Sequence, residues 1–131
     1  MEQDPEMIER RDAILEAIRR EYGFVPVVNQ VVSERPDVFV PLSGAARSVL
    51  ENGDLDRKTR YLCAVSAATA IGGEYCVDVQ MRHAKEAGAT KDEVFEAIMI
   101  GSYMAMTRAQ SYALRRFAAN YGVELDDPVT K

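Results

Sequence analysis

Apolar residues recur at helical spacing throughout this chain, and no stretch alternates as a half-buried strand would. The sequence therefore predicts an all-α fold of six or seven helices. Start and stop residues bound the periodic segments. Together they predict that roughly 60% or more of the chain is helical. The 131 residues are most simply one domain, long enough to bury a core without staples, with residues 1–4 and 123–131 as loose tails.

The first helix is expected from Pro5 to Tyr22, where Ile8, Leu15 and Ile18 share a stripe and Gly23 is the stop. A short helix from Pro26 to Ser33 carries Val27, Val28, Val31 and Val32. Valine also favours strands, but a proline at the first helical position and the brevity favour a helix. Pro36 opens a third helix to Glu51, ended by Asn52-Gly53-Asp54. Asp56 can cap a fourth, Arg57 to Ile71. Its half from Ala64 to Ile71 is small or apolar nearly all round, which predicts a helix surrounded on most sides. Gly72-Gly73 breaks it, and a fifth helix runs from Glu74 to Ala87 before Gly88. Thr90-Lys91-Asp92-Glu93 is a capping-box start for a sixth. Thr107 is read as restarting a last helix through Tyr121, with Gly122 as its stop.

Composition removes several functions. The net charge is −5, and the 16 Lys and Arg are spread among 21 acids, so no basic face is built for phosphates and no nucleic-acid partner is expected. The N-terminus, Met1-Glu2-Gln3-Asp4-Pro5, lacks the basic and apolar blocks of a signal peptide. No apolar run is long enough to span a bilayer. A cytoplasmic location with no membrane partner is the expectation. The two cysteines, Cys63 and Cys76, make no disulfide framework. Neither has zinc-ligand spacing to the single histidine, and no glycine-rich phosphate loop or nucleophile elbow is present. No metal or cofactor is expected.

The stretch with chemical content is Gly72-Gly73-Glu74-Tyr75-Cys76-Val77-Asp78-Val79-Gln80-Met81-Arg82-His83. Cys76 falls in the first turn of its helix, where exposed amides favour a thiolate, while Glu74 opposes this by like charge. Offsets of four and seven put Gln80 and His83 on the same face as Cys76. His83 lies roughly 10 Å further along the axis, so it cannot bond Cys76 directly. The plain alternatives are a core Cys76 and a solvated or capping His83. Cys63 sits in an apolar run and is expected in the core. Met99, Met104 and Met106 are expected in the core or a subunit interface rather than a ligand pocket.

The order Tyr22-Gly23-Phe24-Val25-Pro26, Arg35-Pro36, then Leu50-x-Asn52-Gly53-x-Leu55-Asp56 and the apolar Leu62 to Ile71 segment resembles one family. Glu74-Tyr75-Cys76, Ala87-Gly88-Ala89 and Asp92-Glu93-Val94 extend the likeness. This is the carboxymuconolactone decarboxylase and alkylhydroperoxidase D (AhpD-like) family. The resemblance spans about Tyr22 to Tyr121 and implies an AhpD-like helical fold whose subunits associate, often as trimers or hexamers. Redox members carry Cys-x-x-Cys, a histidine four residues later and a glutamate on the preceding helix. Aligned on Glu74-Tyr75-Cys76, the second cysteine is Cys76, the first falls on Gly73, the histidine on Gln80 and the glutamate on Tyr61. A shifted alignment makes Cys76 the first cysteine, puts Val79 at the second and His83 at the histidine, but displaces Gly88. Either leaves one motif thiol, whereas the paired motif resolves an oxidised cysteine as a disulfide.

Three functions follow as expectations. The first is a weak single-cysteine thiol peroxidase, an antioxidant oxidoreductase in which Cys76 reacts and Gln80, Tyr61 or His83 orients it. Its partners would be a small-molecule substrate and a thiol reductant. The second is a decarboxylase or isomerase on a small carboxylated metabolite, with His83 or Glu74 as acid or base and Arg60 binding carboxylate. The third is a non-catalytic oligomeric binding protein.

Overall fold

The computed structural model describes residues 2–126, and the part of the expected C-terminal tail beyond 126 lies outside them. Six helices hold 79% of the described residues, with no strand among them. They are α1 (Pro5–Tyr22), α2 (Val27–Val32), α3 (Pro36–Glu51), α4 (Arg57–Ile71), α5 (Glu74–Glu86) and α6 (Lys91–Tyr121). The all-α expectation holds. Contacts group into two units, Met1–Asp54 and Leu55–Lys131.

In the first unit, Asp4 caps α1 by accepting from the Glu6 amide at 3.0 Å. Gln3 Nε2 donates to the Glu34 carbonyl at 3.1 Å. Pro26 is the N-cap of α2 rather than its first helical residue. That helix is too short to satisfy its own ends, so side chains do it: Gln30 Nε2 donates to the Val25 carbonyl and Ser33 Oγ to the Gln30 carbonyl, both at 2.7 Å. α3 packs against α1 and α2, with Pro36 and Phe39 buried.

The second unit positions the candidate site. α4 packs against both α5 and α6. Its N-cap is Asp56, whose carboxylate accepts from the Thr59 amide at 2.9 Å. The Thr90–Glu93 capping box of α6 forms as expected. Tyr61 and Val65 of α4 meet Ala84 of α5 and Ala97 of α6 in one core, flanked by Leu62, Met81, Val94 and Ile98.

Four expectations are corrected. α6 does not restart at Thr107. The hydroxyl of Thr107 donates to the Met104 carbonyl at 3.0 Å, which satisfies it inside a continuous 31-residue helix, so it caps nothing. Cys63 is exposed rather than core. It lies two residues from Tyr61 and from Val65, about 200° around the helix from the buried stripe at 3.6 residues per turn. For the same reason the Ala64–Ile71 half is not surrounded: Val65 is fully buried, but Ile71 is 86% exposed. Met99, Met104 and Met106 are also exposed, so they are not core.

Gly101 of α6 sets how closely α6 approaches α4. A Cβ there would fall on the Ser66 carbonyl oxygen and within 2.9 Å of its carbon. Glycine-to-alanine inside a helix ordinarily gains about 1 kcal/mol from propensity. Here the obstruction is backbone, which no rotamer change relieves. Gly101→Ala should therefore lower unfolding stability, by about 1–3 kcal/mol net, in urea titration. A stabilised variant would contradict the close approach.

Lys58 of α4 and Glu93 of α6 form an ion pair at 2.8 Å. The hydrogen bond from Lys58, reinforced by the Thr90 amide, holds the Glu93 carboxyl below its usual range. A depressed carboxylate stabilises the fold above its unfolded pKa, and the contribution is lost as pH falls through the folded value. Glu93→Gln should be less stable than the parent at neutral pH. The difference should shrink as the urea midpoint is followed to about pH 3. A difference independent of pH would remove the electrostatic account.

Candidate functional site

α4 and α5 are joined through Gly72 and Gly73, with φ of +88° and +116°. Both values are in the left-handed half of backbone space that side chains avoid. The sharp connection lets α5 pack back along α4. Tyr61 lies ten residues before Ile71 at the end of α4, and His83 nine residues after Glu74 at the start of α5. Nearly equal distances from the turn bring the two close to the same level. Their rings stack with centroids 5.0 Å apart and planes 21° apart. Arg57, one turn before Tyr61, lays its guanidinium over the Tyr61 ring at 5.6 Å from the centroid.

The structure thus brings together two candidates that the sequence could only name separately. His83 is not solvated, being 7% exposed. Its Nδ1 is 3.6 Å from a Glu86 carboxylate oxygen one turn on. Tyr61, at the position of the family's glutamate, is buried beside Val65.

Cys76 lies at the other end of α5, exposed in the first turn. Gln80 is intermediate in burial, and its Oε1 is buried with no hydrogen-bond partner among the described residues. Burial therefore increases along the predicted face from Cys76 through Gln80 to His83. Glu74, the first residue of α5, is exposed. Gly73 N-caps the helix and has no side chain to offer it. A Cβ built on Gly73 would stand 3.8 Å from the Cβ of Cys76 and 4.0 Å from its Sγ. That first separation is one a disulfide adopts. The Cβ spacing of a disulfide is thus available, on a backbone φ of +116° that a cysteine would adopt only with strain, and one thiol is absent from the sequence.

Arg60 is buried and donates from a terminal nitrogen to the Leu55 carbonyl at 2.7 Å. It secures the entry to α4. Sequence reasoning missed Arg57. Its spacing of four from Tyr61 was the available signal. Among the described residues, no group of three or more His, Cys, Asp or Glu is arranged to hold a metal ion. No helix of the described residues is long and apolar enough to cross a membrane.

Comparison with known proteins matches these elements to one family. The model of the carboxymuconolactone decarboxylase family matches residues 36–119, the span from the start of α3 almost to the end of α6. A curated relative from Paracoccus denitrificans, "Uncharacterized protein 4 in cox locus", is 30% identical over 82 residues, covering 63% of this chain and 71% of the relative. No solved structure matches significantly. With its all-α architecture, and with Cys76 on the helix after the glycine turn, the chain belongs to the carboxymuconolactone decarboxylase family.

Proposed function

We propose that this chain is a single-cysteine, thiol-dependent oxidoreductase that reduces peroxides weakly. The observation that carries the reading is the exposure of Cys76 in the first turn of α5, where exposed amides favour the thiolate. In the first step the Cys76 sulfur attacks a peroxide oxygen. The O–O bond breaks, the alcohol or water leaves with a proton, and Cys76 becomes a sulfenic acid. A soluble thiol then condenses with the sulfenic acid, releasing water and leaving a mixed disulfide. A second thiol reduces it, restoring Cys76 and releasing the oxidised reductant. Gln80 is the nearest candidate along the helix to orient these groups.

On this reading Cys76→Ser abolishes peroxide turnover with dithiothreitol, and Cys63→Ser leaves it nearly intact. Intact-mass analysis after peroxide alone should show sulfenic and over-oxidised forms on Cys76. Unchanged turnover in Cys76→Ser would remove the thiol mechanism.

Gly73→Cys tests the disulfide spacing. Mild oxidation should give an intramolecular disulfide with Cys76. The reduced variant should lose about 1–3 kcal/mol of stability, because a side chain is forced onto the left-handed backbone at Gly73. Two free thiols after oxidation would show that the turn does not hold the pair in register.

The alternative is a non-catalytic oligomeric binding protein, favoured by one observation. The Tyr61–His83 pair is packed into the core, and the family's first cysteine and histidine positions hold Gly73 and Gln80. Both readings share a homo-oligomer. Ile71, Met99, Ile100, Tyr103 and Met104 are all more than half exposed, an apolar surface that association would cover. Light scattering at micromolar concentration should give a trimer or hexamer, and a monomer would oppose this.

A further inference from the structure

We propose that Arg57 is a positioning residue, holding the Tyr61 ring flat so that it fixes the His83 imidazole. The proposal goes beyond the oxidoreductase reading, since these residues lie at the other end of α5 from Cys76, and its test does not depend on activity. Three observations carry it. Arg57 and Tyr61 are four apart on α4, which places them on neighbouring turns of one face. The guanidinium lies 5.6 Å from the Tyr61 centroid, and the His83 imidazole stacks on the same ring at 5.0 Å. A Glu86 carboxylate oxygen lies 3.6 Å from its Nδ1, within ion-pair reach but too long for a hydrogen bond. Tyr61 therefore has both a guanidinium and an imidazole within ring-contact distance. A cation over the ring favours the orientation that presents the negative π face to it. The imidazole inherits that orientation through the ring it stacks on.

His83 is the only histidine in the sequence, so its carbon-bound ring protons can be assigned without ambiguity by NMR on the full chain. In the parent protein the Tyr61 ring current should displace these resonances from the positions of a free imidazole. Arg57→Gln should lose more than half of that displacement while the backbone amide spectrum stays that of the folded protein. Arg57→Lys, which keeps a cation over the ring, should recover most of it. Tyr61→Phe should retain the displacement, since the ring persists, and Tyr61→Leu should abolish it. If Tyr61→Leu does not fold, the Arg57 pair and Tyr61→Phe still decide the matter. Parent-like His83 resonances in Arg57→Gln would overturn the proposal. So would Arg57→Lys resembling Arg57→Gln. None of these measurements reads peroxide turnover, so inactivity of the chain would count against the oxidoreductase reading alone.

Discussion

The close approach of α6 to α4 at Gly101 is the constraint on which the second unit depends. A helix backbone can lie against another backbone only where a side chain is missing, and Gly101 against Ser66 supplies that gap. With the two axes drawn together, small residues suffice to fill the space. The core is accordingly built from Val65, Ala84 and Ala97, with Tyr61 as its one large ring. The Lys58–Glu93 pair and the Thr90–Glu93 box fasten the starts of α4 and α6. α4 is then a fixed post against which α5 is laid.

The glycine turn determines what α5 can present. Gly72 and Gly73 allow a connection short enough that positions nearly equidistant from it meet, which stacks His83 on Tyr61. The same turn leaves Cys76 at the open end of the helix. A thiol that must meet soluble reactants has to be exposed, whereas an aromatic stack gains by exclusion of water. One helix provides both environments because Cys76 and His83 are two turns apart along it. Burial of the Tyr61–His83 pair away from Cys76 agrees with slow chemistry at Cys76, and equally with a scaffold.

Membership of the carboxymuconolactone decarboxylase family accounts for the helical plan from α3 to α6. It does not choose a reaction, because fold and function separate at the level of individual side chains. The apolar residues left exposed on α6 and at the end of α4 belong to a different level. They concern what α4 and α6 are next to, and local chemistry has little bearing on that.

Local signals sufficed for the helices. Asp56 before α4, the Thr90–Glu93 box, Pro36 and the Gly72-Gly73 break marked their ends because caps and breakers act through backbone groups within four residues. Thr107 failed as a marker because a hydroxyl can also bond back to a carbonyl three residues earlier, and only the continuing helix shows which it does. Composition likewise misjudged Cys63: apolar neighbours along the chain say a helix is buried, and the buried stripe says which side. The thiol in the first turn of α5 and the lack of its partner were readable, since both are properties of one segment. The stacking of His83 on Tyr61, the guanidinium of Arg57 over it and the burial of Arg60 were decided by tertiary structure. Those contacts depend on how two helices pack across a turn, and no single segment encodes that.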